Sequence, residues 1–277
     1  MNKILSVFSL AIAITFISCK QSEPTFNNRE GDVLTFANRK WDIKIYKNIT
    51  WGPGNNYFTG HPNDIFIDDN GYLHLSVTER DGKWWSSEVV SQDTMGYGTY
   101  VWTIQGDPVN IDPQIVLGLF TWDDNTFKTD ANSEVDIEFS KWGDTNQDTT
   151  LQFGVQPINF GPYYPERDDK PKTEPSFWDG VSTHAFTWTD TLITWESWVG
   201  PEYGNGKPQA SWTFDSNNPA RVKNEGGNSS NPVIIPAPGN ATNARMNLWI
   251  VRGANDGPLF PFRTEIIIQD FKYTPIQ

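Results

Sequence analysis

Three carboxylates occupy alternate positions in one short segment, residues 133–139, which reads Ser-Glu-Val-Asp-Ile-Glu-Phe. Because side chains of a β-strand alternate between its faces, Glu134, Asp136 and Glu138 would share one face and the apolar residues between them the other. Three acids this close repel one another, so at least one must hold a proton near neutral pH or find a partner. Such separation of protonation states gives carboxyl groups distinct acid and base roles.

The spacing of Glu134 and Glu138 suits the cleavage of glycosidic bonds. Their Cα atoms would lie roughly 13 Å apart, and the side chains can lean together until the carboxyl groups are about 5–6 Å apart. This separation is closer to the ~5–5.5 Å of retaining glycosidases than to the wider gap of inverting enzymes. One Glu would attack the anomeric carbon, and the other would protonate the leaving oxygen and then activate water. The pattern alone also allows a solvated or calcium-binding acidic strand.

Composition favours a glycan over other ligands. Aromatic residues make up 14% of the 277 residues, with 13 Trp, and flat rings beside carboxylates suit sugar rings. A net charge of −13 argues against nucleic acid. The three histidines are scattered and no phosphate-binding glycine loop is present, so the sequence supports neither a zinc site nor a nucleotide site.

The N-terminus has the pattern of an export signal. A short basic start is followed by an apolar run over residues 4–17, which is too short for a comfortable membrane span. Residues 16–19 resemble a bacterial lipobox, in which Cys19 would become the lipid-modified first residue; a plain signal peptide with a chance Cys is the alternative. Cys19 is the only cysteine, so the mature chain has no intramolecular disulfide. We therefore divide the chain into a signal (1–18), a tether (19–30) and one domain (31–277).

The rest of the chain reads as many short strands separated by turns. Asn70-Gly71, Asp81-Gly82 and Asp190-Thr191 each lie between strand-like segments. Long helical periodicity and βαβ rhythm are absent, which indicates an antiparallel sandwich or jelly roll. Two long connections, 157–180 and 215–244, are polar or Pro-rich. Each either shapes a functional site or is a surface loop without such a role.

Residues 134–139 resemble the Glu-x-Asp-x-Glu signature of glycoside hydrolase family 16, the laminarinase, lichenase and agarase group. Other segments resemble that family in the expected order over about residues 35–275. These are 87–91, 97–100, 183–188, 235–239, 246–249 and 270–273. The resemblance implies a concanavalin A-like β-jelly roll whose concave sheet forms a glycan cleft.

The resemblance also implies roles for individual residues. Glu134 would be the nucleophile, Glu138 the acid/base and Asp136 their helper. The sugar-contacting positions would be Asn56, Glu88, Asn247 and Trp249, although each could instead be structural. Trp102, Trp122 and Trp142 flank the site strands as further sugar platforms, unless they are buried.

The sequence departs from the family pattern at two places. Residues 130–133 replace the family's usual residues ahead of Glu134, and the strand after the motif lacks a His or Asn often found there. Gln156 is a candidate polar cleft residue in their place. These departures bear on the substrate more than on the catalytic step.

We therefore expect an exported, lipid-anchored bacterial enzyme that hydrolyses a β-linked polysaccharide internally with retention. A non-catalytic surface glycan-binding protein and a transglycosylase are the alternatives. We expect a monomer that needs no cofactor and has no assigned metal ligands, although a structural Ca²⁺ is possible.

Overall fold

The structure, a computed structural model, describes residues 29–126, 132–158, 167–173, 180–216 and 235–276, and every regular element in these ranges is a β-strand. The strands are β1 (Arg29–Glu30), β2 (Val33–Phe36), β3 (Arg39–Ile43), β4 (Tyr46–Trp51), β5 (Asn56–Phe58), β6 (Ile65–Ile67), β7 (Leu73–Arg80), β8 (Lys83–Ser91), β9 (Gly98–Gln105), β10 (Ile115–Trp122), β11 (Val135–Phe139), β12 (Leu151–Val155), β13 (Asp168–Asp169), β14 (Val181–Trp188), β15 (Leu192–Val199), β16 (Ala210–Asp215), β17 (Asn243–Ile250) and β18 (Thr264–Pro275).

Two antiparallel sheets form a sandwich. The front sheet has the order β1-β2-β3-β8-β17-β10-β11-β12-β13. The back sheet has the order β6-β7-β18-β9-β14-β15-β16. The predicted antiparallel sandwich is confirmed.

One hairpin joins the two sheets. Strand β7 pairs with β18 in the back sheet, and its last three residues pair with the start of β8, which continues into the front sheet. The turn between them is Asp81-Gly82, and both residues have positive φ (54° and 72°), as the predicted Asp-Gly turn requires.

The core lies between the sheets and is rich in aromatic rings. Val135, Ile137 and Phe139 are fully buried, so the apolar face of β11 points inward as predicted. The back sheet contributes Trp102 and Trp195, which are also fully buried. Burying one face of β11 in this way fixes its register, because a slip of one residue would move all three acids into the core.

The N-terminal part of the domain differs from the sequence prediction. The alternating residues of 41–46 predict one strand, and the Gly- and Pro-rich segment 51–58 predicts a loop. The chain instead forms β3, then β4 and β5, with β2 preceding them. Strand β5 pairs in parallel with β8, beside β4. Residues 1–28, including the predicted signal and Cys19, lie outside the described residues. Within the described ranges, no helix is long and apolar enough to cross a membrane.

Candidate active site

The acidic face of β11 forms part of the floor of an open cleft on the outer side of the front sheet. The cleft has a volume of about 890 Å³ and reaches from β4 to the end of β12. Glu138 lies opposite Gly118 on β10 and Asp136 lies opposite Phe120, while β12 flanks the other side of β11. Glu134 precedes the strand and lines the same cleft. The structure therefore brings the three predicted catalytic carboxylates together on one surface.

The pKa of each carboxyl is raised above its ordinary value. Desolvation is the largest cause for both glutamates, and the charge of Asp136 raises both further. Burial raises the pKa of Asp136, which is 2% exposed, to about 7. The glutamate side chains keep partial exposure to the cleft. The three groups therefore titrate as a coupled set, in which not all three are ionised at neutral pH.

Neighbouring side chains moderate these pKa shifts. Asn132 Nδ2 donates to Glu134 Oε2 at 3.2 Å, and this hydrogen bond lowers the pKa of Glu134. Gln156 Nε2 donates to Asp136 Oδ2 at 3.1 Å and acts in the same direction on Asp136. Both donors are residues at which the chain departs from the family pattern. Amide groups do not titrate, so they orient the acids without exchanging protons with them.

Strand β11 is fastened to its surroundings by buried hydrogen bonds. Trp195 Nε1, from the back sheet, donates to the backbone oxygen of Asp136 at 3.0 Å. Thr121 Oγ1 donates to the carbonyl of Ser133 and accepts the backbone N–H of Val135. Ser133 Oγ in turn donates to the carbonyl of Ala237 at 2.8 Å. These contacts fix the entry of the acidic segment on which any paired-carboxylate chemistry depends.

Glu88 and Asn247 face each other on β8 and β17, and β17 is the strand that pairs with β10. Lys44 Nζ lies 2.8 Å from Glu88 Oε2, and Asn247 Nδ2 donates to the same oxygen at 3.3 Å. Glu88 Oε1 and Asn247 Oδ1 are buried and accept no hydrogen bond from the described residues. Gly118 makes room for Asn247, because a Cβ at Gly118 would lie 2.4 Å from Asn247 Oδ1. Both Glu88 and Asn247 line the cleft, but these two acceptor oxygens are themselves almost fully buried.

Aromatic rings form the walls of the cleft. Trp142 and Trp249 make a T-shaped contact at 6.0 Å, and Trp142 Nε1 donates to Gln152 Oε1 at 3.0 Å. Trp122 lines the side near Asp124, to which its indole N–H donates at 2.6 Å. The structure thus places Trp122, Trp142 and Trp249 in the cleft.

Trp102 does not belong to the cleft, and its assignment as a sugar platform is corrected. It lies on β9 of the back sheet, is fully buried and packs against Phe186 and Phe271 at 5.5 and 5.2 Å. A ring in this position closes the core between the sheets and cannot stack on a glycan.

Asn56 also has a structural position. Its Nδ2 donates to the carbonyls of Pro53 and Ile250, each at 2.9 Å, and its Oδ1 accepts from Ser86 Oγ at 3.0 Å. The side chain is fully buried and lies outside the cleft lining. It joins the β4–β5 turn to the end of β17, so its assignment to sugar contact is corrected.

Several cleft residues were not singled out from the sequence. They are Asp42, Lys44, Tyr46, Trp51, Phe120, Asp124 and Arg245. Strand periodicity could have found Arg245, which is two residues before Asn247 and therefore on the same face. The β4 residues could not be found this way, because β4 was not predicted.

The described part of the chain contains no group of three or more His, Cys, Asp or Glu side chains that could hold a metal ion.

Comparison with known structures identifies the fold. A Bacillus licheniformis β-glucanase is similar with a TM-score of 0.55 at 19% identity, covering 91% of this chain and 97% of that one. An immunostimulatory antigen and pseudo β-1,3-glucanase of Mycobacterium tuberculosis is similar with a TM-score of 0.59 at 14% identity, covering 86% and 91%. A glycosyl hydrolase family 16 protein from Mycobacterium smegmatis gives a TM-score of 0.54 at 13% identity, covering 90% and 94%.

No protein-family model matches the sequence, and no curated protein matches it. The likeness to family 16 structures is therefore one of fold, and at that level the predicted resemblance and the jelly-roll architecture are confirmed.

Proposed function

We propose that this protein is a retaining glycoside hydrolase that cleaves a β-linked polysaccharide at internal bonds. The observation that carries the proposal is the position of Glu134, Asp136 and Glu138 on the floor of an aromatic-lined cleft. Carboxylates buried together without a functional reason would destabilise the fold, because each raised pKa reports a charged form that the protein disfavours.

The proposed reaction has two displacement steps. Glu134 attacks the anomeric carbon while Glu138 gives its proton to the leaving glycosidic oxygen, which forms a glycosyl ester on Glu134. Glu138, now ionised, takes a proton from water as the water oxygen attacks the same carbon and releases Glu134. Asp136 lies between them, and its protonation state determines how much charge the two glutamates experience. These steps use carboxyl groups alone, so we propose that no cofactor is needed.

The extent of the cleft supports internal cleavage. Six adjacent strands, β3-β8-β17-β10-β11-β12, underlie it, which corresponds to about 24 Å across the sheet. A groove of that length accommodates several sugar units on both sides of Glu134 and Glu138.

Two other functions fit the same fold. One similar structure is named a pseudo β-1,3-glucanase, which favours the possibility of a glycan-binding protein without turnover. Transglycosylation would use the same glycosyl ester and differ only in the acceptor that attacks it. The three intact carboxylates favour chemistry over binding alone.

A polysaccharide panel with product analysis tests the proposal. Wild type should release reducing ends and oligosaccharides from at least one β-linked polymer, while Glu134→Gln and Glu138→Gln should lose about a thousandfold or more of that activity. Glu202→Gln, an exposed change on the back of the molecule, is the matched control and should retain full activity. If wild type binds a polymer of the panel but releases nothing from any, the binding function is correct instead.

Small external nucleophiles separate the two glutamate roles. With Glu134→Gly, azide should attack the anomeric carbon from the vacated face and give a glycosyl azide of inverted configuration. With Glu138→Gly, azide should instead intercept the ester on Glu134 and give the retained configuration. The opposite pairing of products would exchange the roles assigned here.

We further propose that the protein is exported and anchored to a bacterial membrane through Cys19, and that it acts as a monomer. The support for anchoring is the sequence of residues 1–19.

A further inference from the structure

Arg245 lies inside the cleft, although no feature of the paired-carboxylate chemistry requires it there. It is on β17 opposite Phe120 of β10, and Phe120 is in turn opposite Asp136 of β11. Its side chain is 13% exposed. The arginine therefore points across the same surface as the three acids, about two strands away from them.

The guanidinium of Arg245 has a fixed position but no carboxylate within ordinary hydrogen-bond distance. Its Nε donates to Asn243 Oδ1 at 3.0 Å. Its terminal nitrogens lie 3.6 Å from Glu88 Oε1 and 3.7 Å from Asp124 Oδ2, beyond ordinary hydrogen-bond length. Glu88 already has a closer cation in Lys44, at 2.8 Å. Part of the positive charge of Arg245 is thus available to the cleft.

Arg245 also contacts the Trp122 ring, which forms one wall of the cleft. Its guanidinium carbon lies 5.5 Å from the centre of the Trp122 ring, and the Trp122 indole N–H is bound to Asp124, which Arg245 also approaches. Since β10 and β11 are antiparallel with Phe120 opposite Asp136, Trp122 is level with Glu134. The clamped ring therefore stands beside the proposed nucleophile rather than beside Glu138.

We propose that Arg245 is a positioning residue for the proposed hydrolysis, one whose charge favours the carboxylate form of Glu134 and whose guanidinium fixes the Trp122 ring beside it. The catalytic purpose of Arg245 rests on the proposed function, but its effect on the ionisation of Glu134 can be measured in the protein without substrate. Each glutamate has its own nearby cation, because the charge of Arg245 lowers the pKa of Glu134 and the charge of Lys170 lowers that of Glu138.

The charges around Glu134 make the effect measurable. Among the described residues, Asp136 and Glu138 of β11 disfavour its ionisation, and Arg245 of β17 favours it. Asp124 lies beyond the end of β10, Glu88 of β8 is paired with Lys44, and the neutral Gln156 follows the end of β12. Arg245 is thus the cation whose removal should shift the ionisation of Glu134 to higher pH.

Carbon-13 NMR of protein labelled at glutamate carboxyls tests this without turnover, with the Glu134 signal assigned from Glu134→Gln. In Arg245→Gln the titration midpoint of Glu134 should move to higher pH than in wild type. In Arg245→Lys, which keeps the charge but not the planar fork, the midpoint should stay near wild type while the Trp122 indole N–H signal moves. Arg263→Gln, which removes the same charge at an exposed position just before β18 of the back sheet, should change neither signal.

Activity provides a second readout where a substrate has been found. Because the nucleophile must be ionised, Arg245→Gln should lose roughly three- to tenfold in kcat/KM on the acid side of the profile and converge with wild type at higher pH. An unchanged Glu134 midpoint in Arg245→Gln overturns the proposal even if wild type is active. A shifted midpoint in a protein that hydrolyses nothing supports it while the proposed function fails.

Discussion

Asp136 lies between two partly exposed glutamates and is itself almost fully buried. Its position on the strand, and the inward direction of Val135, Ile137 and Phe139, could be predicted from the period of two alone. The hydrogen bond that it accepts from Gln156 could not be predicted. Gln156 follows the neighbouring strand β12, and the residue spacing does not specify the register in which β12 pairs with β11. The sequence likewise suggested strong mutual repulsion but not that Asn132 would bind Glu134.

Asp136→Asn should stabilise the protein in a pH-dependent way. Since the folded pKa is raised from the ordinary 3.8 to about 7, the folded protein holds a proton that the unfolded chain has lost, and stability falls as pH rises through that window. Asparagine removes this loss, so the free energy of unfolding of the variant should exceed that of wild type by of the order of 2–4 kcal/mol at pH 8 and by little below pH 4.

Urea unfolding at pH 4, 6 and 8 measures the gain. Asp81→Asn, an exposed turn position with positive φ that both residues tolerate, is the control and should show no such trend. A destabilisation by Asp136→Asn that grows as the pH rises from 4 to 8 would show that the carboxylate is stabilised by its surroundings, contrary to this account.

Strands β9, β10 and β17 show what pattern reasoning can assign at the level of the element. The sequence predicts strands over residues 97–104, 114–122 and 245–252, close to the observed bounds, but not the sheet that each strand joins. Trp102 and Trp122 both lie in strand-like segments rich in apolar residues, yet β9 belongs to the back sheet and β10 to the front sheet. Sheet membership depends on pairings between distant segments, and a single sequence does not display these.

Trp102→Ala and Trp122→Ala should therefore have opposite consequences. The first removes a fully buried ring and should cost about 3–5 kcal/mol of unfolding free energy. The second removes a cleft wall and should cost about 1 kcal/mol or less while raising KM or weakening glycan binding. Urea unfolding and glycan titration of both variants test the pair, and a large loss of stability only in Trp122→Ala would reverse the placement.

The whole molecule combines an acidic surface with a cleft cut across its front sheet. The all-β architecture could be predicted from turn spacing and the absence of helical periodicity. Of the long connections expected over 157–180 and 215–244, the first contains β13, and the second overlaps the end of β16 and the start of β17. Residues 159–166, 174–179 and 217–234 lie outside the described residues. Neither the length nor the composition of the two connections reveals the sugar for which the cleft is shaped.

Anchoring is the prediction that belongs to the full chain. Expressed with residues 1–28 in a bacterium, the protein should partition to the membrane fraction and incorporate labelled fatty acid, because Cys19 would carry the lipid. Cys19→Ser should abolish the label, whereas Ser22→Ala should keep it. Fatty-acid label on the Cys19→Ser protein would refute anchoring at this residue.

The configuration of the first product tests the central claim most directly. Proton NMR of the anomeric region, recorded during the first minutes of hydrolysis of the most active polysaccharide, reports the product before mutarotation. Double displacement through Glu134 and Glu138 predicts that the β-anomer forms first and the α-anomer grows later. Initial appearance of the α-anomer would contradict a covalent intermediate on Glu134.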